Sequence, residues 1–253
     1  MVPVVADWLA LIDLRPLPAA LLFGAAVLGG LVRGFSGFGA AMVMMPGLIA
    51  VLGPLAAVPT LSVMDSILTM PMAVRAARHC HWRPVIALVV GSMVAIPLGI
   101  WALIILDPML IRWIVSGFVL LAVILLASGW RYSKPVSLPS TAIIGGAAGF
   151  CGGLISLAGP IIVIFWLAGQ INASRTRNNI LTYFGFTGII SFLAYLAGDL
   201  MSARVWILIL MLAPVYGVSL YLGARLFKFA SEQTYRRLAL GLISLVAISS
   251  LVL

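Results

Sequence analysis

Two glycine-broken stretches carry the residue types best suited to chemistry in this chain. The first reads Gly30-Leu31-Val32-Arg33-Gly34-Phe35-Ser36-Gly37-Phe38-Gly39, and the second Gly149-Phe150-Cys151-Gly152-Gly153-Leu154-Ile155-Ser156-Leu157-Ala158-Gly159-Pro160. A helix that restarts after such a break begins with N–H groups that have no helical partner, and these carry about half a positive charge. Glycine lets a ligand approach that backbone closely. Ser36 is placed to cap the first restarted arm, and Pro160 suits a first helical turn. The chemistry implied is anion binding. The candidate substrate-binding residues are Arg33, Gly34, Ser36, Gly37, Phe38 and Gly39 in the first stretch, Cys151, Gly152, Gly153, Ser156 and Gly159 in the second, and Asn178. The competing reading is that the glycines serve close helix packing, as small residues do in membranes.

Arg33 is the only basic residue within either stretch. An arginine near a bilayer centre costs about 2.5–3.5 kcal/mol on insertion scales, so it must pair with a carboxylate or a substrate, or snorkel to an interface. Asp65 is the only acid well inside an apolar segment, and it shares one helix face with Ser62, Ser66 and Thr69. Such a stripe faces the protein interior or a water-filled path. Asp65 either pairs with Arg33 or couples transport by taking and releasing a proton. The matching face in the second half carries Asn178, Thr182 and Gly185, with no acid.

Other motifs are weaker. Arg175 and Arg177 either draw anions toward a vestibule or simply mark the cytoplasmic side. His79-Cys80-His81 resembles a metal cluster, but three adjacent residues do not readily converge on one ion, so no metal is expected. Cys151 either touches a sulfur-containing ligand or fills a small buried space. Neither it nor Cys80 suits a structural disulfide.

The elements that must position these residues are membrane helices. Of 253 residues, 64% are hydrophobic and 8% charged, with a mean hydropathy of +1.23. A soluble domain is about half apolar and about a quarter charged. Apolar segments fall near 18–52, 55–74, 84–105, 109–130, 138–169, 177–198, 203–224 and 233–252. A membrane barrel would instead show alternating runs of about ten residues. The excess of fifteen Lys and Arg over six Asp and Glu reads as basic cytoplasmic loops, not as a nucleic-acid surface. Asp7 and Asp13 precede the first apolar run, unlike a cleaved signal.

The chain also reads as a duplication within a single membrane domain. A shift of 119 residues superposes Gly30 on Gly149 and Gly34 on Gly153; a shift of 124 superposes Trp82 on Trp206, Gly99 on Gly223 and Arg112 on Arg236. The repeats are 18–130 and 138–252, with broken segments 18–52 and 138–169. If both broken segments are re-entrant hairpins, Arg75, Arg78, Arg83, Arg131, Lys134, Arg175, Arg177, Arg225, Lys228, Arg236 and Arg237 all lie inside. Only Arg15, Arg112 and Arg204 then lie outside, as the positive-inside rule favours. The expected fold is all-α: two inverted-topology repeats, each a hairpin with arms of roughly 16 residues plus three transmembrane helices. Both termini are then periplasmic, and the two glycine tips meet near mid-membrane.

On these residues the chain resembles the TauE/SafE family of sulfite and organosulfonate exporters over essentially its whole length. The resemblance is carried by Gly37-Phe38-Gly39-Ala40-Ala41 with Pro46, by Gly159-Pro160, and by the basic loop Arg78-His79-Cys80-His81-Trp82-Arg83. It implies transport of small sulfur-containing or carboxylated anions across the bacterial inner membrane. The function expected is a secondary transporter for a sulfite- or sulfonate-like anion, working by alternating access, with Asp65 in coupling and H+ or Na+ as the coupling ion. No nucleotide-binding motif or cofactor is expected, and a homo-oligomer stays open. An anion channel on the same architecture is the alternative. An enzyme is not expected, since no nucleophile–base pair stands out.

Overall fold

The structure is a computed structural model that describes residues 16–127, 137–167 and 173–227. The expected last segment, 233–252, and Arg15, Arg131, Lys134, Lys228, Arg236 and Arg237 lie outside the described residues. Every element among the described residues is an α-helix: α1 Pro16–Ser36, α2 Ala40–Leu52, α3 Pro54–Ala77, α4 Trp82–Ile105, α5 Pro108–Ala127, α6 Leu138–Ile155, α7 Gly159–Leu167, α8 Ala173–Ala197 and α9 Ala203–Phe227.

Both glycine-rich segments break where the sequence expects. The arms of the first segment are unequal, however, with 21 residues in α1 against 13 in α2, so arms of roughly 16 residues do not describe it. In the second, α6 has 18 residues and α7 is described over Gly159–Leu167. Among the described residues, six helices are long and apolar enough to cross a membrane: α1, α3, α4, α6, α8 from Ser174, and α9. Their outer faces expose large apolar side chains such as Leu21, Trp101, Ile143 and Val218. The short arms sit inside: Met44, Met45 and Leu48 of α2 and Ile162 and Val163 of α7 are buried.

Glycine sets how closely the long helices approach. A Cβ on Gly34 of α1 would stand 2.0 Å from Leu220 O and 2.8 Å from Ala224 N of α9. A Cβ on Gly153 of α6 would stand 2.3 Å from Ile96 O and 3.0 Å from Ile100 N of α4. The reverse contacts match as well. Gly223 meets Leu31 O and Phe35 N, while Gly99 meets Phe150 O and Leu154 N. Each pair of contacts maps onto the other by the shifts of 119 and 124 residues. Between these helix pairs, α3 packs along α8.

Candidate functional site

Each break ends in a left-handed residue stabilised in the same way. Gly37 has φ 82° and its N–H bonds to Arg33 O at 2.9 Å; Ser156 has φ 56° and its N–H bonds to Gly152 O at 2.9 Å. These residues are also 119 apart. The chain then restarts as α2 from Gly39 (φ 90°) and as α7 from Gly159. The tips meet: a Cβ on Gly159 would lie 4.0 Å from both Gly39 N and Phe38 Cβ.

Ser36 is not the N-cap of α2, which is Gly39. Its hydroxyl instead has the carbonyls of Val32 and Phe38 within reach of its one proton, at 2.7 and 2.6 Å, and accepts from Phe38 N–H, tying the loop shut. A hydroxyl committed within the turn leaves the start of α2 to its own backbone. Pro160 does fall in the first turn of α7.

Arg33 and Asp65 come together. Arg33 is 2% exposed and Asp65 18%. Arg33 Nε donates to Asp65 Oδ1 at 2.9 Å, and its Nη2 stands 2.8 Å from Asp65 Oδ2. Arg33 Nη1 donates to Gly37 O, and the guanidinium lies 4.6 Å from the ring centre of Phe184. Tyr216 Oη donates to Asp65 Oδ1 at 2.5 Å. The arginine is thus pinned to a carboxylate, to the tip's own carbonyl and to an aromatic face.

Two cavities flank this pair. One, of about 40 Å³, lies against Arg33, Gly39 and Ala40 of the first tip, Asp65 of α3, and Ser156 and Gly159 of the second tip. The other, of about 60 Å³, is lined by Asp65, Ser62, Ser66, Gly152, Thr187 and Ser191, among others. Ala40, Ala41, Asp65, Ser156 and Phe184 line both. The first cavity opens on the starts of α2 and α7, whose leading N–H groups have no helical acceptor, so an anion there meets two positive helix ends.

The remaining expected residues divide. Gly37, Gly39, Gly152, Ser156 and Gly159 belong to the tips or cavities. Gly34 and Gly153 serve helix contact, and Phe38 is buried in the core. Cys151 is half-buried and lines neither cavity, as does Asn178, whose carbonyl accepts from Thr182 Oγ1. It is Asn179 that is fully buried, accepting His81 N–H at 2.8 Å. His81 also stands 3.3 Å from Arg175 Nη1. Among the described residues, no group of three or more His, Cys, Asp or Glu could hold a metal ion.

Two residues of the site were not singled out from sequence, and a third was read differently. Tyr216 and Phe184 look like any aromatic in an apolar helix, and nothing marks them. Arg177 was noted only as a basic residue ahead of its helix, yet its Nη2 donates to Gly34 O at 2.8 Å and its guanidinium lies over Phe227.

The family model described as "Sulfite exporter TauE/SafE" matches residues 22–250. No curated protein and no solved structure matches.

Proposed function

Since the chain belongs to the TauE/SafE sulfite exporter family, we propose that this multi-pass membrane protein is a secondary transporter for a small sulfur-containing or organic anion. The anion sits in the smaller cavity, between the starts of α2 and α7, with the Arg33 guanidinium at its wall. The observation that carries this reading is the meeting of the two tips beside a buried arginine. Two helix starts and the guanidinium of the Arg33–Asp65 pair converge there.

Arg33 does not wait as a bare charge. Asp65 cancels it, so an anion arriving alone would leave the pair with one unmatched negative charge in low dielectric. That cost is several kcal/mol. Asp65 is therefore the residue we assign to coupling: whatever cation cancels its charge releases the Arg33 charge for the substrate. Tyr216 holds the carboxylate in register with the guanidinium.

Alternating access has its support in the matched packing. Gly34 on α9 and Gly153 on α4 are equivalent contacts, as two inverted repeats would make them, so the bundle can rock between two related states around a fixed site. The placement in the bacterial inner membrane rests on the family, and the periplasmic termini rest on the charge distribution of the loops.

Liposome uptake tests this reading. Sulfite or a short sulfonate should enter proteoliposomes saturably, and preloaded substrate should accelerate entry by counterflow. Ion currents far above carrier turnover, with no counterflow, would instead make the protein an anion channel.

A further inference from the structure

The carbonyl ends of α1 and α6 are built alike and treated differently. At the end of α1, Gly34 O accepts from Arg177 Nη2 and Gly37 O from Arg33 Nη1. Two guanidinium groups therefore cover the negative end of that helix. In the register of 119 residues, the place of Arg33 is taken at the second tip by Gly152, and that of Arg177 by Val58 of the first half. Where Arg33 fills space at the first tip, Gly152 lines the larger cavity at the second. The residues lining that cavity include Asp65 and no basic side chain.

Three of the hydroxyls there are poor anion donors. Ser66 Oγ donates to Ser62 O at 2.6 Å, Thr187 Oγ1 to Tyr183 O at 3.0 Å, and Ser156 Oγ to Val58 O at 3.4 Å. Once a hydroxyl proton is committed to a helix carbonyl, the oxygen keeps only lone pairs to offer. Ala40 and Ala41 at the start of α2 also border the cavity, but its charged side chain is the Asp65 carboxylate, and with the hydroxyl oxygens beside it this is the ligand set a hard cation takes.

We propose that the cavity at the second tip binds Na+, held by the Ser66, Thr187, Ser191 and Ser156 oxygens beside Asp65. The ion takes there the electrostatic place that Arg33 takes at the first tip. Charge then balances: Na+ offsets Asp65, and the transported anion offsets Arg33. The inference rests on the anion reading above and gives it a coupling ion.

The test uses the purified full-length protein at constant chloride and ionic strength, with Na+ replaced by K+ or choline. We expect Na+ alone to raise the melting midpoint saturably, and radioactive 22Na+ to be retained at equilibrium. Thr187→Val and Ser191→Ala should each weaken half-saturation by at least about tenfold. Gly152→Arg should remove the Na+ response in a protein that still elutes as one species. Equal midpoints in Na+ and choline, with no 22Na+ retained, would overturn the proposal. So would a Na+ response unchanged in all three variants. Sulfite added in parallel separates the two readings. A Na+ response without any sulfite response sinks the substrate assignment and keeps the cation site; a sulfite response indifferent to Na+ does the reverse.

Discussion

At the first tip two guanidinium groups cover the carbonyl end of α1, whereas at the second tip Gly152 and Val58 stand in the matching places and a hydroxyl-lined cavity opens. The backbones do not differ in kind. Gly37 and Ser156 share a left-handed conformation and the same bond back four residues, and each first arm leans on its partner helix through a glycine at the matching position. The comparison teaches that backbone geometry and chemistry are set separately here. Glycine at the packing face fixes how near the helices come. On the proposed reading, the residue one turn before the left-handed position sets what the tip binds.

The largest effect should follow from removing the first tip's charge. Arg33→Ala strands Asp65 with Tyr216 as its remaining donor, and breaking a buried pair costs about 3–5 kcal/mol. Its thermal midpoint should fall and its transport should drop to background. Adding Asp65→Asn should recover the midpoint but not the transport. Recovery of both would show that Arg33 is structural only. Asp65→Asn alone should keep anion binding and counterflow exchange while losing gradient-driven uptake; uptake that still follows the gradient would move coupling elsewhere.

Next come the packing glycines, which ask whether the two halves really behave alike. Gly34→Ala and Gly153→Ala each press a methyl into a backbone carbonyl across the helix contact, an overpacking of about 1–3 kcal/mol. The two should lower the thermal midpoint by similar amounts. A loss confined to one half would break the equivalence.

Tyr216→Phe should cost about 1.5–3 kcal/mol in stability at most, the range for a hydrogen bond to a charged group. Its transport defect should lie in the dependence on the coupling ion and leave substrate affinity near wild type. The smallest effects belong to the left-handed positions. Gly37→Ser should destabilise by about 1–2 kcal/mol, because a Cβ is disfavoured there and would meet Arg177 Cγ at 3.1 Å. Ser156→Gly should be within about 1 kcal/mol of wild type.

Much of this was legible in the residues. Long apolar runs had to be membrane helices, and an arginine and an aspartate inside such runs had few ways to exist except together. The breaks were marked by Gly37 and Gly39 and by Gly159-Pro160, although pairs such as Gly29-Gly30 and Gly152-Gly153 and prolines such as Pro59 and Pro97 continue their helices. What the sequence could not separate was glycine that admits a ligand from glycine that admits another helix, since both depend on the same missing Cβ. Gly34 and Gly153 looked like site residues for that reason, and the structure puts them against Leu220 and Ile96. Choosing between Asn178 and Asn179 needed the helix rotation, which a face without an acid does not fix. Arg177 was read by its charge alone, whereas its reach to Gly34 O depends on how α8 lies beside α1. Ser36 had the right chemistry for a cap and the wrong position once the turn closed on it.

The claim that an anion is held between the tips by Arg33 is tested most directly by equilibrium titration of the purified protein with sulfite. Wild type should be compared with the charge-balanced double variant Arg33→Ala with Asp65→Asn. The account predicts saturable binding by wild type and none by the double variant, although the latter should remain folded with a comparable melting midpoint. Sulfite affinity unchanged in the double variant would contradict the account and remove Arg33 from the binding site.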